Sequence, residues 1–241
     1  MSSRTNTPAT GSTAMLQWLG GLGAATAEAL ADRDGTTVRS ARARLAAAAR
    51  AGLLSHARPL AGQPALYALT TAGLRASRIA RLQPCRVSAS NAMHLIVCAG
   101  VAAGLERCYP DQCVIGERDL RRRERERGTP LASAPLGGSS GEERQLHRPD
   151  LVLLPAAAGR GLPVAVEVEL AVKAPRRLTA ICRSWARCKE VAGVLYLATP
   201  SAERALLRAI AEADASSRVV VVPLDALPGA HEHAVGGAEH L

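Results

Sequence analysis

Phenylalanine is absent from the 241 residues, and aromatic side chains make up only 2% of them. Gripping nucleic acid mainly by stacking bases on rings is therefore excluded, and the core has to be built from Leu, Val, Ile and Ala. Lysine is nearly absent too: Lys173 and Lys189 are the two exceptions among 30 basic residues that are otherwise all Arg. No two of the six cysteines (85, 98, 108, 113, 182 and 188) have the two-residue spacing of a zinc knuckle. Most lie in apolar stretches and read as buried thiols of a reduced compartment. The opening MSSRTNTPATGS has no apolar run and is not a secretory signal. The longest apolar stretch, Ala92 to Leu105, is short for a bilayer and contains His94, which reads as a satisfied core residue. A cytoplasmic protein with no membrane contact is expected. There is no Walker loop, no Gly-rich dinucleotide turn and no Ser-His-Asp arrangement. Neither Tyr109 nor Tyr196 comes with the three-histidine metal cluster of tyrosine relaxase chemistry.

What is present is positive charge, unevenly placed. The formal charge is +9. Residues 1–83 hold ten Arg against Glu28, Asp32 and Asp34, so this third alone carries +7. A compact basic module is the electrostatic footprint of a protein that binds the phosphate backbone. Residues 1–12 are polar and are expected to be disordered. A first unit is expected over 13–83, with Pro84 marking a linker. A second follows over 88–225 and contains a Gly/Ser/Pro-rich loop over 128–146. Residues 226–241 read as a tail carrying His231, His233 and His240.

In the first unit, Met15, Leu16, Leu19 and Leu22 have helical spacing, and Thr26 to Ala31 reads as a second, short helix. After the Asp34-Gly35 turn, Thr36 is placed to cap a third helix ending near Ala51. Val38, Leu45, Ala49 and Leu53 form its expected buried stripe. Arg39, Ser40, Ala43, Arg44 and Ala47 fall on the other side, long donors beside small residues that let a backbone approach the major groove. Arg42 and Arg50 lie at the margins, within reach of phosphates. Leu53-Leu54 and Leu66 to Leu69 read as two strands around a turn-rich tip bearing Arg58. Thr70 or Thr71 then caps a further helix, Ala72 to Arg81. Three helices, a hairpin and a closing helix spell a winged helix-turn-helix, with Arg58 on the wing near the minor groove or a phosphate. The run LYALTTAGL, 66–74, resembles the strand-to-helix junction of many winged-helix transcription factors.

In the second unit, a helix capped by Ser88 or Ser90 runs to about Arg107. Strands follow at 113–116, 150–154 and 164–170, then helix 175–190, strand 194–198, helix 201–213 and strand 219–223. This order gives an α/β unit with a mixed sheet and helices packed on it, and the whole chain is of the α+β class. Glu117 to Arg127 holds six Arg and four acids and reads as a solvated helix with internal ion pairs. Trp18 and Trp185 sit at core-facing positions. In VAVEVEL, 164–170, Glu167 and Glu169 share one strand face while the valines and Leu170 share the other. Such carboxylates are costly to bury unless paired or bound to a cation. Asp150 opens the neighbouring strand, so the acids could make an oxygen-rich site for a hard divalent ion. The bland reading pairs them with Arg148, Arg176 or Arg177.

The α-β-β-β-α-β order and the Pro149-Asp150…Glu167 spacing resemble the PD-(D/E)XK nuclease superfamily. That resemblance implies magnesium held by Asp150 and Glu167, with Glu117 as an assisting carboxylate. The motif's lysine should stand two residues after Glu167, where this chain has Glu169; Lys173, four residues further, is the substitute on offer. With the winged helix, the string ERDLR…RPD…VAVEVELAVKAPRRL resembles the replication-relaxation family of actinobacterial plasmid and mobile-element proteins. This implies a role in replication, DNA relaxation or mobilisation, acting on double-stranded DNA beside other replication or mobilisation proteins. Three functions follow: a DNA-binding protein of that type with a degenerate nuclease domain, a magnesium-dependent endonuclease or nickase, or a winged-helix regulator whose second domain makes a homodimer.

Overall fold

The computed structural model describes residues 10–137, 145–155 and 161–227. The expected disordered segment 1–12 lies mostly outside these residues, as do 138–144 of the expected loop over 128–146 and the three histidines of the tail. The chain is α+β, and its described residues form eight α-helices and a mixed sheet of five strands.

The amino-terminal elements are α1 (Thr10–Leu22), β1 (Ala24–Ala25), α2 (Ala27–Asp34), α3 (Val38–Arg50), β2 (Leu54–Ala57), β3 (Leu66–Leu69) and α4 (Thr71–Ser77). β3 pairs antiparallel with both β1 and β2, giving a small sheet in the order β1-β3-β2. Local sequence sets the helix starts: the side chains of Thr26, Thr37 and Thr70 accept from the third backbone N–H of α2, α3 and α4. α2 ends at Gly35, whose φ of +60° is the left-handed stop that a residue without Cβ takes at little cost.

The five-stranded sheet has the order β10-β9-β8-β7-β4, built from β4 (Cys113–Gly116), β7 (Leu151–Leu154), β8 (Val164–Glu169), β9 (Gly193–Ala198) and β10 (Val219–Pro223). β4, β7 and β8 run antiparallel in turn. β8, β9 and β10 are parallel. Parallel neighbours need crossovers, and α7 (Pro175–Arg187) and α8 (Pro200–Glu212) supply them. Helix α5 (Ala89–Cys108) covers the opposite face, α6 (Glu117–Arg127) follows β4, and β5 (Ala134–Leu136) and β6 (Gln145–His147) form a separate hairpin.

Alternation along the strands divides the core. Leu151, Leu153, Val166 and Val168 pack toward α5, and Val152, Ala165, Val194 and Tyr196 toward α7 and α8. The α5-side cluster does not stop at the sheet. It takes in Met15, Leu16 and Leu19 of α1, Leu30 of α2 and Leu45 of α3 together with Val97, Val101 and Leu105 of α5. The segment between α4 and α5 thus joins two halves that share one apolar core.

Several expectations need correction. The cap of α3 is Thr37, not Thr36. Its buried stripe is Ala41, Leu45 and Ala48, while Val38 is exposed and Ala49 half-buried. β1, β5 and β6 were not expected, and α4 ends at Ser77 rather than Arg81. Cys108 and Cys113 are exposed, not buried. The apolar stretch around His94, read as short for a bilayer, lies inside α5, whose bounds match the helix expected from Ser88 to about Arg107. α5 has 20 residues and is long and apolar enough to cross a membrane by length and composition, with 61% of its most apolar window buried inside the protein.

Candidate functional site

Two surfaces carry the expected functional residues. The first is α3. Its solvent side presents Arg39, Ser40, Arg42, Ala43, Ala47 and Arg50, and Arg58 is exposed just beyond β2. Arg42 reaches Glu28 at 3.1 Å with 62% of its side chain exposed, a pairing that water screens heavily. Arg44 differs: it is half-buried and bound to Asp34, which also takes Arg33, so its guanidinium braces the turn between α2 and α3. Arg42, His56, Arg58, Pro64 and Tyr67 line a cavity of about 390 Å³ between these helices and the hairpin.

The second surface is the carboxyl end of β8. Glu167 and Glu169 are both buried and share the face toward α7, as the alternation requires. Glu167 Oε1 accepts from Trp185 Nε1 at 3.1 Å and lies 2.6 Å from His147 Nε2 on β6. Burial pushes the Glu167 carboxyl up, and the imidazole beside it works against that rise. The same burial, reinforced by Glu167, raises the Tyr196 hydroxyl well above its ordinary value. Glu169 takes the ammonium of Lys173, four residues on in the segment before α7, so the substitute lysine does reach the acidic strand. Asp150 turns elsewhere. Its Oδ2 accepts from the Val168 N–H at 2.8 Å, extending the β7–β8 ladder with a side chain, and its Oδ1 lies 2.9 Å from His94 Nε2 on α5. Glu117 begins α6; its backbone N–H meets the Asp150 carbonyl at 2.9 Å, but its carboxylate pairs with Arg121.

Asp150, Glu167 and Glu169 are therefore paired, though not with the arginines of the bland reading. Arg148 goes instead to Glu124, and among the described residues no ion pair joins Arg176 or Arg177 to the acidic strand. His94 is not enclosed in the core: 41% of its side chain is exposed and it faces Asp150. Trp18 and Trp185 are core residues, and α6 carries the expected internal pairs, Arg122 and Arg123 on Asp119 among them.

Magnesium takes one or two carboxylates and fills the rest of its octahedron with water; here the oxygens of Asp150 and Glu167 are engaged by His94, the Val168 N–H, His147 and Trp185. Among the described residues, one group of three candidate ligands comes within 4.8 Å of one another: His94, Cys98 and Asp150. Glu117, Glu167 and Glu169 are not members, and the set at Asp150 is nitrogen, sulfur and oxygen. Sequence reasoning missed His94, Cys98 and His147 as site residues. The four-residue spacing of His94 and Cys98 on one helix face was the available signal.

No protein-family model, no curated protein and no solved structure matches the chain.

Proposed function

We propose that the protein binds double-stranded DNA, with α1 to α4 and the small sheet acting as a winged helix-turn-helix. α3 enters the major groove and the β2–β3 hairpin flanks it as the wing. The single observation that carries this reading is the two-sidedness of α3. Ala41, Leu45 and Ala48 fix one side in the core, while the other exposes Arg39, Ser40, Arg42 and Arg50 around the small Ala43 and Ala47. Long donors beside small side chains suit close approach to base edges, and donors at the margin suit phosphates. The role is that of the replication-relaxation proteins this chain resembles, in plasmid or mobile-element replication or mobilisation. The sheet half then keeps a nuclease-like order of elements around paired acids, without a magnesium-dependent cutting centre.

The test is a titration of labelled duplex across salt concentrations. Three phosphate contacts from Arg42, Arg50 and Arg58 imply a log–log slope of about −2.7, hence roughly a 40-fold loss of affinity between about 50 and 200 mM salt. Arg50→Ala lowers the slope by about 1. Arg39→Ala, on a site selected from random duplexes, costs about 1–3 kcal/mol and relaxes one base position. Salt-independent binding, or binding that survives loss of Arg39, Arg50 and Arg58 together, overturns the proposal.

A further inference from the structure

We propose that His94, Cys98 and Asp150 form a three-ligand site for a divalent cation of the zinc class, with a fourth position left for water or a phosphate oxygen. The site rests on no part of the DNA-binding reading. His94 and Cys98 stand one turn apart on α5, so both side chains leave the same side of the helix. β7 begins where that helix crosses the sheet, and Asp150 stands at its threshold. Cys98 Sγ lies 3.4 Å from His94 Nε2, which lies 2.9 Å from Asp150 Oδ1. A tetrahedral zinc with ordinary bond lengths sets edges of about 3.3–3.6 Å between such atoms. An entering ion therefore has to spread the histidine and carboxylate by a few tenths of an ångström, with the sulfur and carboxylate already within 4.8 Å of each other.

The surroundings favour a cation. Burial, and after it the negative charge of Asp150, Glu167 and Glu117, holds the Cys98 thiol well above its ordinary value. A bound divalent ion reverses that balance and takes the sulfur as thiolate. The Val168 N–H fixes Asp150 through its other oxygen, the kind of outer contact that orients a metal-bound carboxylate. His94 remains partly open to solvent, which gives an ion a way in. A set of one nitrogen, one sulfur and one oxygen selects a borderline metal such as zinc over magnesium. Binding releases the Cys98 proton to solvent.

The experiment uses the full chain, stripped with chelator and titrated with cobalt(II). The expected result is saturation at one equivalent, with a sulfur-to-cobalt charge-transfer band and the intense visible bands of four-coordinate cobalt, both erased by one equivalent of zinc(II). Cys98→Ser abolishes the charge-transfer band. His94→Ala and Asp150→Asn lose the one-equivalent saturation, with circular dichroism checking that each variant is folded. As a second readout, zinc raises the Tm of the stripped unaltered protein and leaves that of His94→Ala unchanged. Folded protein without the charge-transfer band, a band that survives in Cys98→Ser, or zinc that leaves the Tm of the unaltered protein unchanged overturns the site. Duplex affinity measured on the same stripped samples stays unchanged in all three variants, so failure here is distinguishable from failure of the DNA-binding reading.

Discussion

Glu124 is the buried acid whose loss has the most calculable cost. On α6, with 5% of its surface exposed, it accepts four hydrogen bonds. Oε1 takes the N–H groups of Leu131 and Ala132 at 3.0 and 3.4 Å and the Ser133 hydroxyl at 2.6 Å, and Oε2 takes Arg148 Nε at 3.0 Å. The carboxylate thus pins the chain after Gly128 back onto α6 and links it to the residue two before Asp150. Glu124→Ala strands all four donors. Hydrogen bonds to a charged group contribute about 1.5–3 kcal/mol each, but donors sharing one acceptor do not add. Breaking a buried pair costs about 3–5 kcal/mol. Arg148 keeps 22% of its side chain in solvent and recovers part of its hydration, which sets the expectation at about 3 kcal/mol. For a chain of this size that is a fall in Tm of about 6–12 °C. Glu124→Gln keeps an acceptor for the loop but loses the charge opposite Arg148, and should cost about half as much. Thermal unfolding by circular dichroism measures both, and hydrogen exchange should show the Leu131 and Ala132 amides losing protection first. An unchanged Tm with those amides still protected in Glu124→Ala would refute the reasoning.

Gly116 ends β4 against α1, where an added Cβ would stand 2.6 Å from the Gly21 carbonyl oxygen and 3.0 Å from Leu22 Cα. Gly116→Ala should destabilise by about 1–3 kcal/mol, lowering a single thermal transition; a variant as stable as the parent would mean that α1 does not rest on β4. Burial lifts the Cys182 and Cys188 thiols to about 11. At pH 7.5 both should stay inert to a thiol reagent until the protein unfolds, while exposed Cys108 reacts at once; fast labelling of Cys182 in folded protein contradicts the packing of α7. Supercoiled plasmid incubated with magnesium should remain intact with wild type and Asp150→Ala alike, and nicking that disappears in Asp150→Ala would restore the nuclease reading.

Much of the sheet half was legible because its strands are apolar runs bounded by Pro and Gly. The two-residue alternation placed Glu167 and Glu169 on one face without any model. Thr70 and Ser88, each one of two candidates, announced their helices through capping chemistry. The misses have physical causes. α3 is so rich in alanine that its buried Ala41 and Ala48 look no different from its exposed Ala43 and Ala47, so the stripe was drawn through Val38 instead. β1 is two alanines, with no β-branched residue to mark it. The partners of the acids were invisible for another reason. His94 and Asp150 are 56 residues apart and meet because α5 lies across β7, and His147 reaches Glu167 from a hairpin strand that the sequence presents as loop.

The core shared across α5 limits how this protein can be taken apart. α2 packs closely along α5, and β1 lies against it too. A gene fragment stopping at codon 83 would encode the amino-terminal half with a raw apolar flank where α5 belongs, prone to clump rather than fold. That half is therefore no portable cassette: recombination could pass it to another protein only by carrying α5 along, or by finding a new helix to close the same side.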